Sequence, residues 1–377
     1  MNFLTLRIDK NITEQHLYKD VGGIPYALAK YCGYKCDFAY FDNGKKIEDK
    51  NYERYVKLIK LEYSSSKILN IFRLVKFICR NAEKYDVLNL YHGEVNLIFL
   101  SYIAKIKNPN IKIYIKLDLG RNFYDKLINL DKSNKLKYKI LSKLNKIVDL
   151  YTVETKAYVN ELNKIKKFHG KVKYLPNGFF SDLVEVNKNI KKEKIILTVG
   201  RLGTVAKNTE MFVEAIEGIA TEKLKDWKIY LVGSMTDKFT DWFNDILNEK
   251  PYLKEYFLLT GNISDKKELY TLYARSSVFV LPSRWEGFPL VLPEALYFRC
   301  YPIVTNSFDG VVDIIKSNFG KIIPNEDKSA LSSAIEEILN NKIDYIKNGQ
   351  IAYDFVSKKY DWKAIIQTLD KYFKEEI

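Results

Sequence analysis

Residues 281–294 read Leu-Pro-Ser-Arg-Trp-Glu-Gly-Phe-Pro-Leu-Val-Leu-Pro-Glu. The run 278–281 leading into them, Val-Phe-Val-Leu, is short, β-branched and apolar, the pattern of a buried strand. A turn over 286–289 follows, and a helix is expected to run through 294–298. Pro289 and Pro293 both suit a first helical turn, where amide hydrogens have no intrahelical partner. Gly287 lets the backbone approach a ligand closely. The backbone of Phe288, Pro289, Leu290 and Val291 at the positive helix end forms an anion site. Two carboxylates, Glu286 and Glu294, flank the turn with seven residues between them. Acceptors of this kind suit sugar or ribose hydroxyls, and the amides suit a diphosphate.

The strand–turn–helix rhythm extends outward in both directions. Strands are expected over 195–199, 228–232, 257–260 and 301–305, separated by helices over 209–220, 238–248 and 265–274. Towards the N-terminus, strands are expected over 3–8, 36–41, 87–91, 112–117, 150–153 and 172–175, with helices over 25–32 and 96–106. This alternation argues for α/β architecture with mostly parallel, doubly wound sheets. Pro176-Asn177-Gly178 is a turn signal, and the lysine-rich stretch 185–194 reads as a linker. The expected division is residues 1–185, residues 186–355 and a closing helix over 356–377. A chain of 377 residues is long enough for two domains, each with its own core. Ligands in such sheets bind at the carboxyl ends of the strands.

Composition narrows the class. Hydrophobic residues make up 47% and charged residues 29%, which excludes a disordered chain and an integral membrane protein. The greasiest stretch, 97–104, is interrupted by Ser101 and ends at Lys105, short of a membrane span. The opening MNFLTLRIDK lacks the pattern of a signal peptide. Of the four cysteines, Cys32 and Cys36 are four apart, but no second Cys or His pair accompanies them or Cys79 and Cys300. Neither a disulfide framework nor a zinc site is expected, and a reducing cytoplasm is.

The net charge of +14 is uneven. Residues 1–200 hold 38 basic and 21 acidic side chains, or +17, whereas residues 201–377 hold 23 and 26, or −3. A basic face of that size attracts nucleic acid, an anionic bilayer or a phosphorylated substrate. Residues 131–149 carry Lys132, Lys135, Lys137, Lys139, Lys143 and Lys146, with Leu136, Ile140, Leu144 and Ile147 at helical spacing. That is a basic amphipathic helix of the kind that lies on a membrane surface. No helix-turn-helix, RNP-like or zinc motif supports nucleic acid as the partner.

Glu286 and Glu294 match the Glu-x7-Glu signature of retaining glycosyltransferases of the GT-B fold, and their surroundings resemble glycosyltransferase family 4 (glycosyl transferases group 1). Thr198-Val-Gly200-Arg201-Leu202 with Lys207-Asn208 resembles the family's Gly-Arg-Leu…Lys-Gly segment. Leu231-Val-Gly-Ser234, Phe308-Asp-Gly-Val-Val-Asp313 and Asn318-Phe-Gly320 resemble its later turns, and Tyr360-Asp-Trp362 the start of its final helix. The resemblance implies two Rossmann-like domains facing a cleft, the first taking the acceptor and the second a nucleotide sugar, with a UDP-sugar favoured. It implies that Glu294 binds ribose hydroxyls, that Glu286 holds the donor sugar, and that Arg201 and Lys207 clamp the diphosphate beside Gly200. Asn262 and Ile263 would flank the base. Gly22 and Gly23 match a glycine-rich first loop, placed before a helix starting near Pro25.

One departure stands out. Where family members often have a histidine after the strand at 112–117, this chain has Lys116-Leu-Asp118, a charge pair at a strand end. Asp118 is therefore a site candidate, and His92 reads as structural. The expected enzyme is a retaining, metal-independent hexosyltransferase with no cofactor. It would act on a saccharide acceptor, lipid-linked and destined for a bacterial surface polysaccharide, at the inner face of the cell membrane. The competing readings are a small soluble or protein acceptor and, from another class, a basic nucleic-acid-binding protein.

Overall fold

The computed structural model describes residues 1–8, 12–42, 44, 47–92, 95–120, 124–125, 145–187 and 190–377. The chain divides into two compact units, one of residues 1–180 with 360–377 and the other of residues 181–359. Of the basic segment 131–149, residues 131–144 lie outside the described residues.

Unit 1 is built on a sheet of seven strands: β1 (Asn2–Arg7), β2 (Lys35–Asp42), β3 (Val56–Glu62), β4 (Val87–Tyr91), β5 (Lys112–Leu117), β6 (Leu150–Val153) and β7 (Val172–Tyr174). Their spatial order is β3-β2-β1-β4-β5-β6-β7, and every pairing is parallel. Unit 2 has six: β8 (Glu193–Val199), β9 (Lys228–Val232), β10 (Phe257–Gly261), β11 (Ser276–Leu281), β12 (Tyr301–Thr305) and β13 (Lys321–Ile323). Their order is β10-β9-β8-β11-β12-β13, again all parallel. Strands β4, β6, β11 and β12 are buried along their whole length, because helices cover both faces. In each sheet the strand order reverses beside the first strand, between β1 and β4 and between β8 and β11. That crevice is where ligands of open α/β sheets bind.

Four expectations are revised. Strand β3 escaped notice because an edge strand buries little; Lys57, Lys60 and Glu62 interrupt its apolar pattern. The stretch 185–194 ends inside a strand, since Glu193 pairs with Ser276 and is held by Arg275. The helix expected over 209–220 stops at Glu217, and a short second helix, Thr221–Leu224, follows.

The fourth revision concerns Gly22 and Gly23. They do not form a loop before Pro25 but lie in the first turns of the Asp20–Cys32 helix. Their small size serves packing. A Cβ on Gly22 would come within 2.4 Å of the Leu17 backbone, and one on Gly23 within 3.3 Å of Trp362. Pro25 sits one turn further in, at the cost of a single helical hydrogen bond.

The last helix, Trp362–Lys371, clips onto this region of unit 1. Phe179 N donates to Tyr360 O, Trp362 N donates to Phe179 O, and the Asp361 side chain caps the helix by accepting from Lys363 N. Trp362 is fully buried and stacks on Phe180 at 5.9 Å. No helix among the described residues is long and apolar enough to cross a membrane. Trp362→Ala is expected to destabilise unit 1 by about 3–5 kcal/mol, from the cavity it leaves. Chemical denaturation followed by circular dichroism measures this.

Candidate active site

In unit 2 the loops that leave β8, β9 and β10 interlock. Gly200 N donates to Val232 O, Leu202 N to Ser234 O, and Gly233 N to Gly261 O. Gly233 adopts φ 137°, and a Cβ there would fall 1.7 Å from Gly200 O, so only glycine fits. A tight turn over 204–207 follows, closed by Lys207 N donating to Thr204 O, and the next helix starts after Asn208 in left-handed conformation.

The turn aims Lys207 at the loop after β11. Its Nζ lies 2.6 Å from Glu286 Oε1, and both side chains are largely buried. Ser283 Oγ donates to the same oxygen at 2.6 Å. Thr305 Oγ1 fixes the Ser283 backbone by donating to its carbonyl at 2.6 Å. Arg284 N donates to Ala206 O and Glu286 N to Ser307 O, which ties the loop to those after β8 and β12. The structure thus brings two candidates, Lys207 and Glu286, into direct contact across 79 residues of sequence.

Glu294 lies in a different setting. The helix begins at Val291, two residues later than Pro289, with Leu290 at its N-cap position. The difference follows from backbone bonding, since Leu292 N reaches Pro289 O and Glu294 N reaches Leu290 O. Glu294 is 6% exposed, and its Oε1 accepts from Lys266 Nζ at 2.8 Å and Tyr270 OH at 3.3 Å. Lys266 and Tyr270 were not anticipated. Their signal is a Lys and a Tyr four apart on the Lys266–Arg275 helix, which place both on one face.

Of the remaining candidates of unit 2, Arg201, Asn262 and Gly287 are open to solvent, Gly200, Phe288, Leu290 and Val291 are half-buried, and Pro289 is buried. Arg201 is exposed, and its guanidinium makes no bond to another described residue. Asn262 is exposed and Ile263 half-buried, just past Gly261. Gly287 is exposed, and a Cβ there would meet no atom within 4 Å, so nothing in the chain requires a glycine at that point.

Asp118, Gly22 and Gly23 belong to unit 1. Asp118 is exposed at the end of β5, and Lys116 does not pair with it. Lys116 is fully buried, donates to Leu175 O at 2.9 Å, and lies 3.6 Å from Glu154 Oε1. Among the described residues, neither oxygen of Glu154 has a hydrogen-bond partner, nor does Asp20 Oδ2. Burial pushes the Glu154 carboxyl up to about 8; Lys116 opposes the shift and the nearby Asp118 charge adds to it. Burial, with Asp118, lifts Asp20 to about 6. Sequence reading missed Glu154 because it stands one residue past β6, where only the fold makes it Lys116's neighbour.

A carboxyl whose pKa is raised by folding favours the folded state while protonated. Its contribution is complete below the unfolded value and is lost as pH rises through the folded one. The stability of unit 1 is therefore expected to fall between about pH 4.5 and 8. Glu154→Gln is expected to flatten that slope, as read by urea denaturation at a series of pH values.

Comparison with known proteins places this geometry. The family model "Glycosyl transferases group 1" matches residues 180–355. The chain is 29% identical over 180 residues, 47% of each chain, to the GalNAc-alpha-(1->4)-GalNAc-alpha-(1->3)-diNAcBac-PP-undecaprenol alpha-1,4-N-acetyl-D-galactosaminyltransferase of Campylobacter jejuni. It is 25% identical over 312 residues to the UDP-Gal:alpha-D-GlcNAc-diphosphoundecaprenol alpha-1,3-galactosyltransferase of Escherichia coli, covering 77% of this chain and 73% of that one. The match to the Campylobacter jejuni protein spans about half of its length. In three dimensions the chain is similar to sucrose-phosphate synthase from Thermosynechococcus elongatus, with a TM-score of 0.72 at 18% identity over 100% of this chain and 98% of that one. The two parallel sheets are those of the GT-B fold, and residues 180–355 match the glycosyl transferases group 1 family.

Proposed function

We propose that the chain transfers a hexose from a UDP-sugar to a lipid-linked saccharide, a precursor of a bacterial surface polysaccharide, with retention of anomeric configuration and without a metal. The observation that carries this reading is the Lys207–Glu286 contact of 2.6 Å at the carboxyl ends of β8 and β11. The relatives whose names print a diphosphoundecaprenol acceptor support the lipid-linked class, and the UDP-Gal of one supports the donor.

Each residue has a task in this scheme. Glu286 keeps one oxygen on Lys207 and Ser283 and offers the other to hydroxyls of the donor sugar. The Lys207 ammonium, with three donors, bridges that carboxylate to the diphosphate. Arg201, whose guanidinium makes no bond to another described residue, supplies the second cation. Glu294, fixed through one oxygen by Lys266 and Tyr270, turns the other to the ribose hydroxyls. Gly287 leaves room for the phosphates against the backbone. As the anomeric carbon–oxygen bond to phosphate breaks, negative charge grows on the leaving diphosphate, and the two cations hold it in place. The acceptor oxygen attacks the same face, and its proton passes to the departing phosphate oxygen. Asp118, beside the buried Lys116–Glu154 pair of unit 1, is assigned to the acceptor saccharide. The positive excess of residues 1–200 belongs with an acceptor anchored at an anionic membrane face.

Lys207→Ala and Glu294→Ala are expected to lower kcat/KM by at least about a hundredfold; Lys207→Ala, which leaves Glu286 without its cation, is also expected to lower the thermal midpoint, while far-UV circular dichroism shows both variants still folded. Wild-type turnover in either variant removes that residue from the scheme. Gly287→Ala is expected to leave stability unchanged within about 0.5 kcal/mol and to raise the donor KM. NMR of the product linkage is expected to show the anomeric configuration of the donor; an inverted linkage contradicts the same-face step.

A further inference from the structure

The Lys67–Asn81 and Val95–Lys107 helices pack against each other on one face of the unit 1 sheet, where Leu74, Ile78, Leu100 and Ala104 share a core. Their outward faces are unusually apolar. Ile68 is 81% exposed, Phe72 60% and Ile106 62%, with Ile71, Phe99 and Tyr102 also exposed. Phe99, Tyr102 and Ile106 recur at helical spacing, so they form one stripe. Between β3 and the Lys67–Asn81 helix runs a groove of about 340 Å³ whose lining includes Lys60, Glu62, Arg73, Lys76 and Arg80. Arg73 is tied to Glu62 at 2.8 Å. Lys60, Lys76 and Arg80 make no ion pair among the described residues.

Large apolar side chains exposed in such number on two packed helices mark a partner. The charge pattern selects which one. Residues 56–81 hold six basic side chains and one acidic, so a second copy of this surface would be repelled. Aliphatic Ile68, Ile71 and Ile106 have no use on a nucleic acid. An anionic bilayer satisfies both features: cations meet lipid phosphates, and apolar side chains enter the boundary between headgroups and acyl chains.

We infer that the outward faces of these two helices are the surface on which the chain lies against an anionic membrane, with Lys60, Lys76 and Arg80 on the headgroups and Ile68, Phe72, Phe99 and Ile106 inserted. The inference rests on the proposed lipid-linked acceptor for its purpose, and it names residues distinct from the basic segment 131–149.

Flotation of the full chain with phosphatidylcholine vesicles, with and without phosphatidylglycerol, tests it. Binding is expected only to the anionic vesicles and is expected to weaken as salt rises. The double variants Ile68→Ser/Phe72→Ser and Lys76→Glu/Arg80→Glu are each expected to lower the partition coefficient by about tenfold or more. A nucleoside diphosphate is still expected to raise the thermal midpoint of both, which shows that unit 2 is intact. Wild-type chain that ignores anionic vesicles overturns the inference, and so does unchanged binding by both variants. Self-association abolished by the same variants, with no vesicle binding, assigns the surface to a second copy instead. Transfer to an acceptor freed of its lipid is scored in parallel. Its absence with every donor sinks the transferase reading and leaves the vesicle result standing, whereas lost vesicle binding with intact transfer sinks only the surface.

Discussion

The contact between Lys207 and Glu286 imposes demands on most of unit 2. Two charges this close and this sheltered need their loops fixed, because an unpaired charge in such a site costs several kcal/mol, on the order of 3–5. The loops are fixed because β8 and β11 are neighbours in the sheet, so their carboxyl ends open side by side. Adjacent turns then lock around them: Gly233 admits the Gly200 carbonyl, Arg284 bonds to Ala206, and Thr305 holds Ser283. The absence of a side chain at Gly233 and the pairing of two strands are thus parts of one device that presents a lysine and a carboxylate together.

That device was legible in outline. The strands that flank it carry buried apolar runs, 195–197 in β8 and 278–281 in β11, and such runs announce themselves. The Glu286–Glu294 spacing pointed to the loop between strand and helix. The partners of those carboxylates were harder to read. The motif puts Lys207 with the diphosphate, and only the fold shows it resting on Glu286. Lys266 and Tyr270, which hold Glu294, come from a helix whose site-facing side looks like any amphipathic surface. The glycines at 22 and 23 misled, because a Gly-Gly pair signals a loop, and only the Leu17 backbone and Trp362 packed against them explain why they sit in a helix. Glu154 carries no sequence signal at all; its isolation beside Lys116 arises from strand order.

The charge distribution also gains meaning from the fold. The excess of +17 in residues 1–200 is not a uniform coating. Some of it is bound internally, as with Lys116, or in ion pairs, as with Arg73. Another part, Lys60, Lys76 and Arg80, lines the groove along the Lys67–Asn81 helix and makes no ion pair among the described residues. Unit 2, which is proposed to hold an anionic donor, has no such excess. It relies on individually placed cations.

The central claim, that the carboxyl ends of β8, β10 and β11 cradle a nucleotide-diphosphate sugar, is open to one direct measurement. Hydrogen–deuterium exchange of the full chain, with and without a saturating UDP-sugar, reports which backbone amides the ligand covers. The account predicts slowed exchange over residues 200–208, 261–263 and 284–294, with the outer strands of unit 2 unchanged. Saturating ligand that leaves all three segments unprotected, or protects only other parts of the chain, would contradict it.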